Sequence, residues 1–263
     1  TTSDHQLGDL GYTSSQLHDL ENALDAPNGL ILMTGPTGCG KTISLYSCLA
    51  RLNQTSVNIC TVEDPVEMSI TGVQHLQINE KAGLTFPVAL RAFLRQDPDV
   101  IMVGEIRDDL TANISIQAAQ TGHLVLSTLH TKDAPAALIR LIHMGVPAIQ
   151  VLSAVRLVTA QRLLRKLCAH CKKPVPTRDT QSAPWFIPVG CPRCVNGYQG
   201  RIGIFQVLPM SEQLGTSLLA LASVTELAQQ AAASGIQTLK QSGQRLVDAG
   251  ITSVEELRRN VDV

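Results

Sequence analysis

Residues 35–42 read Gly-Pro-Thr-Gly-Cys-Gly-Lys-Thr and directly follow the apolar run Leu30-Ile31-Leu32-Met33. This pairing restricts the fold more than any other stretch of the chain. A G-x-x-x-x-G-K-[ST] loop cradles phosphate when a buried strand delivers it and a helix leaves it. Gly35, Gly38 and Gly40 let the backbone curl into a nest of N–H groups, with Pro36, Thr37 and Cys39 between them. Residues 43–51 are helix-compatible, so a positive helix end would meet the same phosphates. Lys41 would reach the β- and γ-phosphates, and the Thr42 hydroxyl would ligate Mg2+. The reading is a site for ATP or GTP; a glycine-rich structural turn is the alternative.

The segments around this loop alternate between strand and helix. Leucines at 17, 20 and 24 behind a Ser/Thr-rich start predict a short amphipathic helix over 12–25, ended by Pro27-Asn28-Gly29. Strands are expected at 57–62, 100–103 and 124–127, with helices over 87–95, 109–120 and 133–143, and irregular or short β structure over 69–83. Continuous β-branched and leucine runs imply a largely parallel sheet covered on both faces, an α/β fold. Function in such sheets gathers at the carboxyl ends of the strands. The phosphate loop, the acids at 63–67, Glu105 and the segment after Leu129 all fall there. Residues 147–167 read as one long helix, 201–207 as a strand, and the last fifty residues as helical, with a possible capping box at Ser253-Val-Glu-Glu256.

Composition removes several classes of function. At 44% apolar and 16% charged, 263 residues bury a large core, and a net charge of −1 gives no basic excess for non-specific nucleic-acid binding. No apolar stretch reaches the about 18–20 residues that span a bilayer, and the polar start carries no signal-peptide pattern. A cytoplasmic location is expected. Seven cysteines are odd in number and clustered, which points to metal rather than disulfides.

Phosphoryl transfer needs an acid that organises magnesium, an acid that polarises water, and positive charge near the γ-phosphate. Glu105 closes an apolar strand, where a Walker B acid belongs, although Asp is more usual there; a surface acid at a strand end would read the same. Glu63, Asp64 and Glu67 form a second acidic group, otherwise a solvated loop but here a plausible source of the base. His123 and His130 bracket a buried strand, where structural histidines are equally common. Arg91, Arg95 and Arg107 offer cations or simply surface charge. Cys168-Ala-His-Cys171 and Cys191-Pro-Arg-Cys194, nineteen residues apart, are two C-x2-C pairs that would close a tetrahedral Zn2+ shell. A redox pair is the weaker alternative, His170 is a spare ligand, and Cys39, Cys48 and Cys60 read as small buried residues.

Four ordered blocks carry a resemblance: the phosphate loop, Thr61-Val-Glu-Asp-Pro-Val-Glu67, Arg95 through Gly104-Glu105-Ile-Arg-Asp108, and Thr121 through Thr131. With the tetracysteine insert and Gly200-Arg-Ile-Gly-Ile-Phe205, the chain resembles the secretion-ATPase superfamily, closest to its type II secretion and type IV pilus assembly branch. That resemblance implies a RecA-like P-loop core over 29–167 and a zinc-binding insert over 168–200. A C-terminal strand and helical region would occupy 201–263, and residues 1–28 would be a helix and linker to an upstream domain. It further implies an ATP hydrolase in a homo-hexamer, driving pilin-like subunits through a platform protein at the inner membrane, with the motor peripheral to that membrane. Glu67 would be the general base, Glu105 the Walker B acid, and His123 and His130 the His-box pair. Family members carry an N-terminal domain that supplies arginines to the nucleotide, so weak ATPase is expected of this stretch alone. The competing readings are a conjugation-type traffic ATPase, a non-catalytic nucleotide-gated scaffold and a zinc-ribbon nucleic-acid binder. The insert disfavours the first, intact Lys41, Glu67 and Glu105 the second, and 3% aromatics with near-neutral charge the third.

Overall fold

The computed structural model describes residues 6–175 and 185–261. In chain order they form α1 (Ser14–Leu24), β1 (Gly29–Thr34), α2 (Lys41–Leu52), β2 (Ile59–Glu63), β3 (Val73–Gln77), α3 (Phe86–Phe93), β4 (Val100–Val103), α4 (Asp109–Gln120), β5 (Leu124–Leu129) and α5 (Ala134–His143). These are followed by α6 (Ala148–Ala154), β6 (Val155–Leu167), β7 (Lys173–Val175), β8 (Trp185–Ile187), β9 (Tyr198–Pro209), α7 (Glu212–Leu219), α8 (Val224–Ala233), α9 (Leu239–Asp248) and α10 (Val254–Val261). Seven strands make one sheet in the order β3-β2-β4-β5-β1-β6-β9, parallel except for the antiparallel pairing of β9 with β6.

β1 is buried along its whole length because both of its faces are covered. Leu30 and Leu32 point into one core with Leu90 of α3, Ala112 of α4 and Leu138 of α5. Ile31 and Met33 point into the other, with Leu20 and Leu24 of α1 and Leu45 and Leu49 of α2. Alternation along a strand thus serves two cores, which is why the strand reads as an unbroken apolar run. Thr13 starts α1 with a complete capping box to Gln16.

The structure corrects two expectations. Residues 147–167 are not one helix: α6 ends at Ala154, and the chain continues as the 13-residue strand β6. The leucines and valines there satisfy a helical period, but β1 has a free edge, and β6 fills it in parallel while β9 pairs along its other side. Ladder bonds on both edges and burial on both faces override local propensity. The capping box at the last helix is only half formed. Ser253 Oγ accepts from Glu256 N at 3.1 Å, but the Glu256 carboxylate turns to Arg165, accepting from Nε at 2.9 Å, Nη2 at 2.6 Å and the backbone N–H at 3.1 Å.

Candidate active site and tetracysteine cluster

The carboxyl ends of β1, β2, β4 and β5 surround a cleft of about 620 Å3 whose lining includes Lys41, Thr42, Glu67, Glu105, Arg107 and His130. Gly40 caps α2 with φ 91°, a left-handed conformation that glycine adopts without strain. Gly35 is needed for a different reason: a Cβ there would stand 2.6 Å from both Cys39 Sγ and the Gln161 carbonyl oxygen. Gln161 of β6 also donates from Nε2 to the Cys39 carbonyl at 2.7 Å, holding the loop from outside. The Lys41 ammonium bonds back to the carbonyls of Gly35 at 2.6 Å and Pro36 at 3.1 Å. Partial burial pulls its pKa below the usual lysine range, opposed by Cys39 and Glu105.

Glu105 is pinned from both sides. Gly104 N–H donates to the Val62 carbonyl at 2.8 Å, and Ile106 N–H to the Thr128 carbonyl at 3.0 Å. Thr128 Oγ1 in turn donates to the Gly104 carbonyl at 2.8 Å. The carboxylate, 15% exposed, contacts the Arg107 guanidinium and lies 3.5 Å from His130 Nε2. The hydrogen bond to Glu105 raises the Arg107 pKa further. His130 is placed by Thr34, whose Oγ1 accepts from Thr131 N at 2.8 Å.

The structure does not bring His123 to this cleft. It sits at the opposite end of β5, where its backbone carbonyl accepts from Gly29 N–H and its Nδ1 lies 3.0 Å from the Ala118 carbonyl. Arg91 and Arg95 also stand apart, Arg95 donating to the Arg91 carbonyl at 2.9 Å. Arg201 of β9 does line the cleft, and sequence reasoning missed it because the antiparallel return of β9 along β6 is a tertiary event.

In the insert, the four thiols of Cys168, Cys171, Cys191 and Cys194 lie within 4.8 Å of one another. A tetrahedron with metal–sulfur bonds of about 2.3 Å has sulfur–sulfur edges of about 3.8 Å. The observed separations are 3.9 Å for Cys168–Cys191, 3.7 Å for Cys171–Cys194 and 3.7 Å for Cys191–Cys194, so the donor set fits. Backbone N–H groups of Gly190 and Cys191 donate to Cys171 Sγ and Cys194 Sγ, both at 3.3 Å, the outer-shell support a thiolate centre needs. His170 lies outside the cluster, its Nδ1 3.4 Å from Arg193 Nη1. Cys39, Cys48 and Cys60 are buried in the core.

A profile of the family described as Type II/IV secretion system protein matches residues 1–259. The chain belongs to this family. Among secretion-family relatives, it is 49% identical over 262 residues to the type IV pilus assembly ATPase PilB of Pseudomonas aeruginosa, covering 95% of this chain and 46% of that protein. It is 44% identical over 255 residues to the type II secretion system protein HxcR of the same species, covering 97% and 53%. The chain thus spans about half the length of the curated relatives it matches. The crystal structure of the pilus retraction motor PilT with bound ADP superposes with a TM-score of 0.77 at 28% identity, over 99% of this chain and 68% of that one. The ATPase DotB of Legionella pneumophila shares the fold, with a TM-score of 0.73 at 23% identity over 97% and 64% of the two chains. The RecA-like core anticipated from the four blocks is therefore the fold of this secretion-family chain. Among the described residues no helix is long and apolar enough to cross a membrane.

Proposed function

We propose that this chain is the ATP-hydrolysing region of a motor for type IV pilus assembly or type II secretion. The observation that carries the reading is the convergence of Lys41, Thr42, Glu67, Glu105 and His130 on one cleft at the strand ends, in a chain nearly half identical to PilB. ATP supplies the γ-phosphoryl group: water forms the new bond to the γ-phosphorus as the bond to the β-phosphate oxygen breaks, and ADP leaves. Lys41 would leave the Gly35 and Pro36 carbonyls to meet its β- and γ-phosphates, and Thr42 and Glu105 would hold Mg2+, which would offset phosphate charge. Glu67 takes the proton of the attacking water, and Arg107 with His130 offsets charge developing on the phosphoryl oxygens.

The cleft is open, so a second copy of the chain would close it, in keeping with a homo-hexameric ring that engages an inner-membrane platform protein from the cytoplasm and acts on pilin-like subunits through it. His123, outside the cleft of its own chain, would act at most across such a boundary. The four cysteines would hold Zn2+ in a structural role that staples the insert.

Phosphate release from ATP tests the reading. Lys41→Ala should lose nucleotide binding, whereas Glu67→Gln should bind ATP and hydrolyse it at least tenfold more slowly, about 1.4 kcal/mol in barrier. Parent-rate hydrolysis by Glu67→Gln would remove Glu67 as the base, and parent-rate hydrolysis by Lys41→Ala would remove the ATP site itself.

A further inference from the structure

Glu63 takes no part in the chemistry above, yet its carboxylate is buried at 3% exposure beside the cleft. Three donors satisfy it: Tyr46 Oη at 2.5 Å on Oε2, and Thr61 Oγ1 at 2.7 Å and His75 Nδ1 at 2.9 Å on Oε1. The two ring side chains each have a second contact. His75 Nε2 accepts from the Ile70 backbone N–H at 3.1 Å, which assigns the ring proton to Nδ1, and Tyr46 Oη accepts from the Met68 backbone N–H at 3.3 Å. Burial and the bond to Glu63 raise the Tyr46 pKa well above the usual phenol range, so it stays a donor.

The consequence is a continuous set of contacts from α2 to the loop that carries Glu67. Tyr46 lies five residues beyond Lys41 on the same helix, about one and a half turns from the phosphate end. The two gripped amides are one and three residues after Glu67. Met68 is 42% exposed, so water could satisfy its N–H; the bond to Tyr46 fixes the loop's place rather than rescuing a buried donor.

We propose that Glu63, Tyr46 and His75 are positioning residues that clamp the backbone of residues 68–70 to α2 and so set the height of the adjoining Glu67 over the phosphate loop. The proposal rests on Glu67 as the base, and two independent readouts separate the ideas. In the full chain, Tyr46→Phe keeps the ring packed and removes both polar contacts. Because a displacement of about 1 Å costs on the order of a hundredfold in rate, kcat should fall at least tenfold while KM for ATP stays within twofold. Amide hydrogen exchange at Met68 should accelerate at least tenfold, with Ile70, still held by His75 Nε2, and β2 and β3 unaffected. His75→Gln, which retains a donor and an acceptor, should keep more of both properties than His75→Ala. Unchanged exchange at Met68 in Tyr46→Phe, or at Ile70 in His75→Ala, overturns the clamp. Accelerated exchange with unchanged kcat shows that the clamp does not set Glu67, and faster exchange spread across β2 and β3 with KM rising in step shows a merely structural role. If Glu67→Gln hydrolyses ATP at the parent rate, the base assignment fails while the exchange measurement still decides the clamp.

Discussion

The contact between Glu256 and Arg165 joins the end of β6 to α10 and yields a quantitative expectation. The Glu256 side chain is 4% exposed and that of Arg165 38%, so one member is buried and the other half in water, stacked over Tyr198 at 4.0 Å. Glu256→Gln preserves shape, but its single carbonyl oxygen can face either the guanidinium or the Arg165 backbone N–H, not both. Loss of charge assistance costs about 1 kcal/mol, and a buried donor left without a partner costs about 1–2 more. A total of about 2–3 kcal/mol at pH 7 lowers Tm by roughly 4–10 °C for a chain of this size.

The pH dependence has a definite sign. Burial alone would raise the Glu256 pKa, but the hydrogen bonds from Arg165 hold it below the usual carboxylate value. A carboxyl depressed in the folded state contributes its stabilisation fully above the unfolded pKa and loses it as pH falls through the folded one. The gap between parent and Glu256→Gln should therefore be widest near neutrality and narrow below about pH 4.5. Thermal unfolding followed by circular dichroism at pH 7 and pH 4 checks both points. A variant melting within 1 °C of the parent at pH 7, or a gap that widens in acid, would refute the argument.

Two further outcomes follow from the loop and the insert. Elemental analysis should find about one zinc per chain, as a single four-thiolate site requires; joint replacement of Cys168 and Cys171 by Ser should release it, and full retention would exclude the four-thiolate centre. Gly35→Ala forces a Cβ against a backbone carbonyl that cannot swing away, so affinity for a fluorescent ATP analogue should fall at least tenfold, about 1.4 kcal/mol; a Kd within twofold of the parent would contradict this.

Much of this protein was legible in its residues because the signals were local. The phosphate loop, Glu105 two residues past β4 and the paired C-x2-C turns each depend on neighbours a few positions away, so spacing alone reveals them. The parallel sheet was legible too, since strands buried on both faces must read as apolar runs. Other features depend on what lies across the fold. Residues 155–167 carry a helical period but become strand because β1 offers an unpaired edge. Glu256 fits a capping box but turns to Arg165, 91 positions away in sequence. His123 and His130 look equivalent in the chain, yet a parallel strand separates its two ends, and only the carboxyl end faces the cleft. The grouping of Glu63 with Tyr46 and His75 likewise needs three elements brought together. The sequence by itself determined the kind of loop, the grouping of four cysteines and the layered α/β class, which local geometry enforces. Tertiary structure decided which acids, histidines and arginines share a site, because that depends on strand order and on burial, and neither is written in spacing.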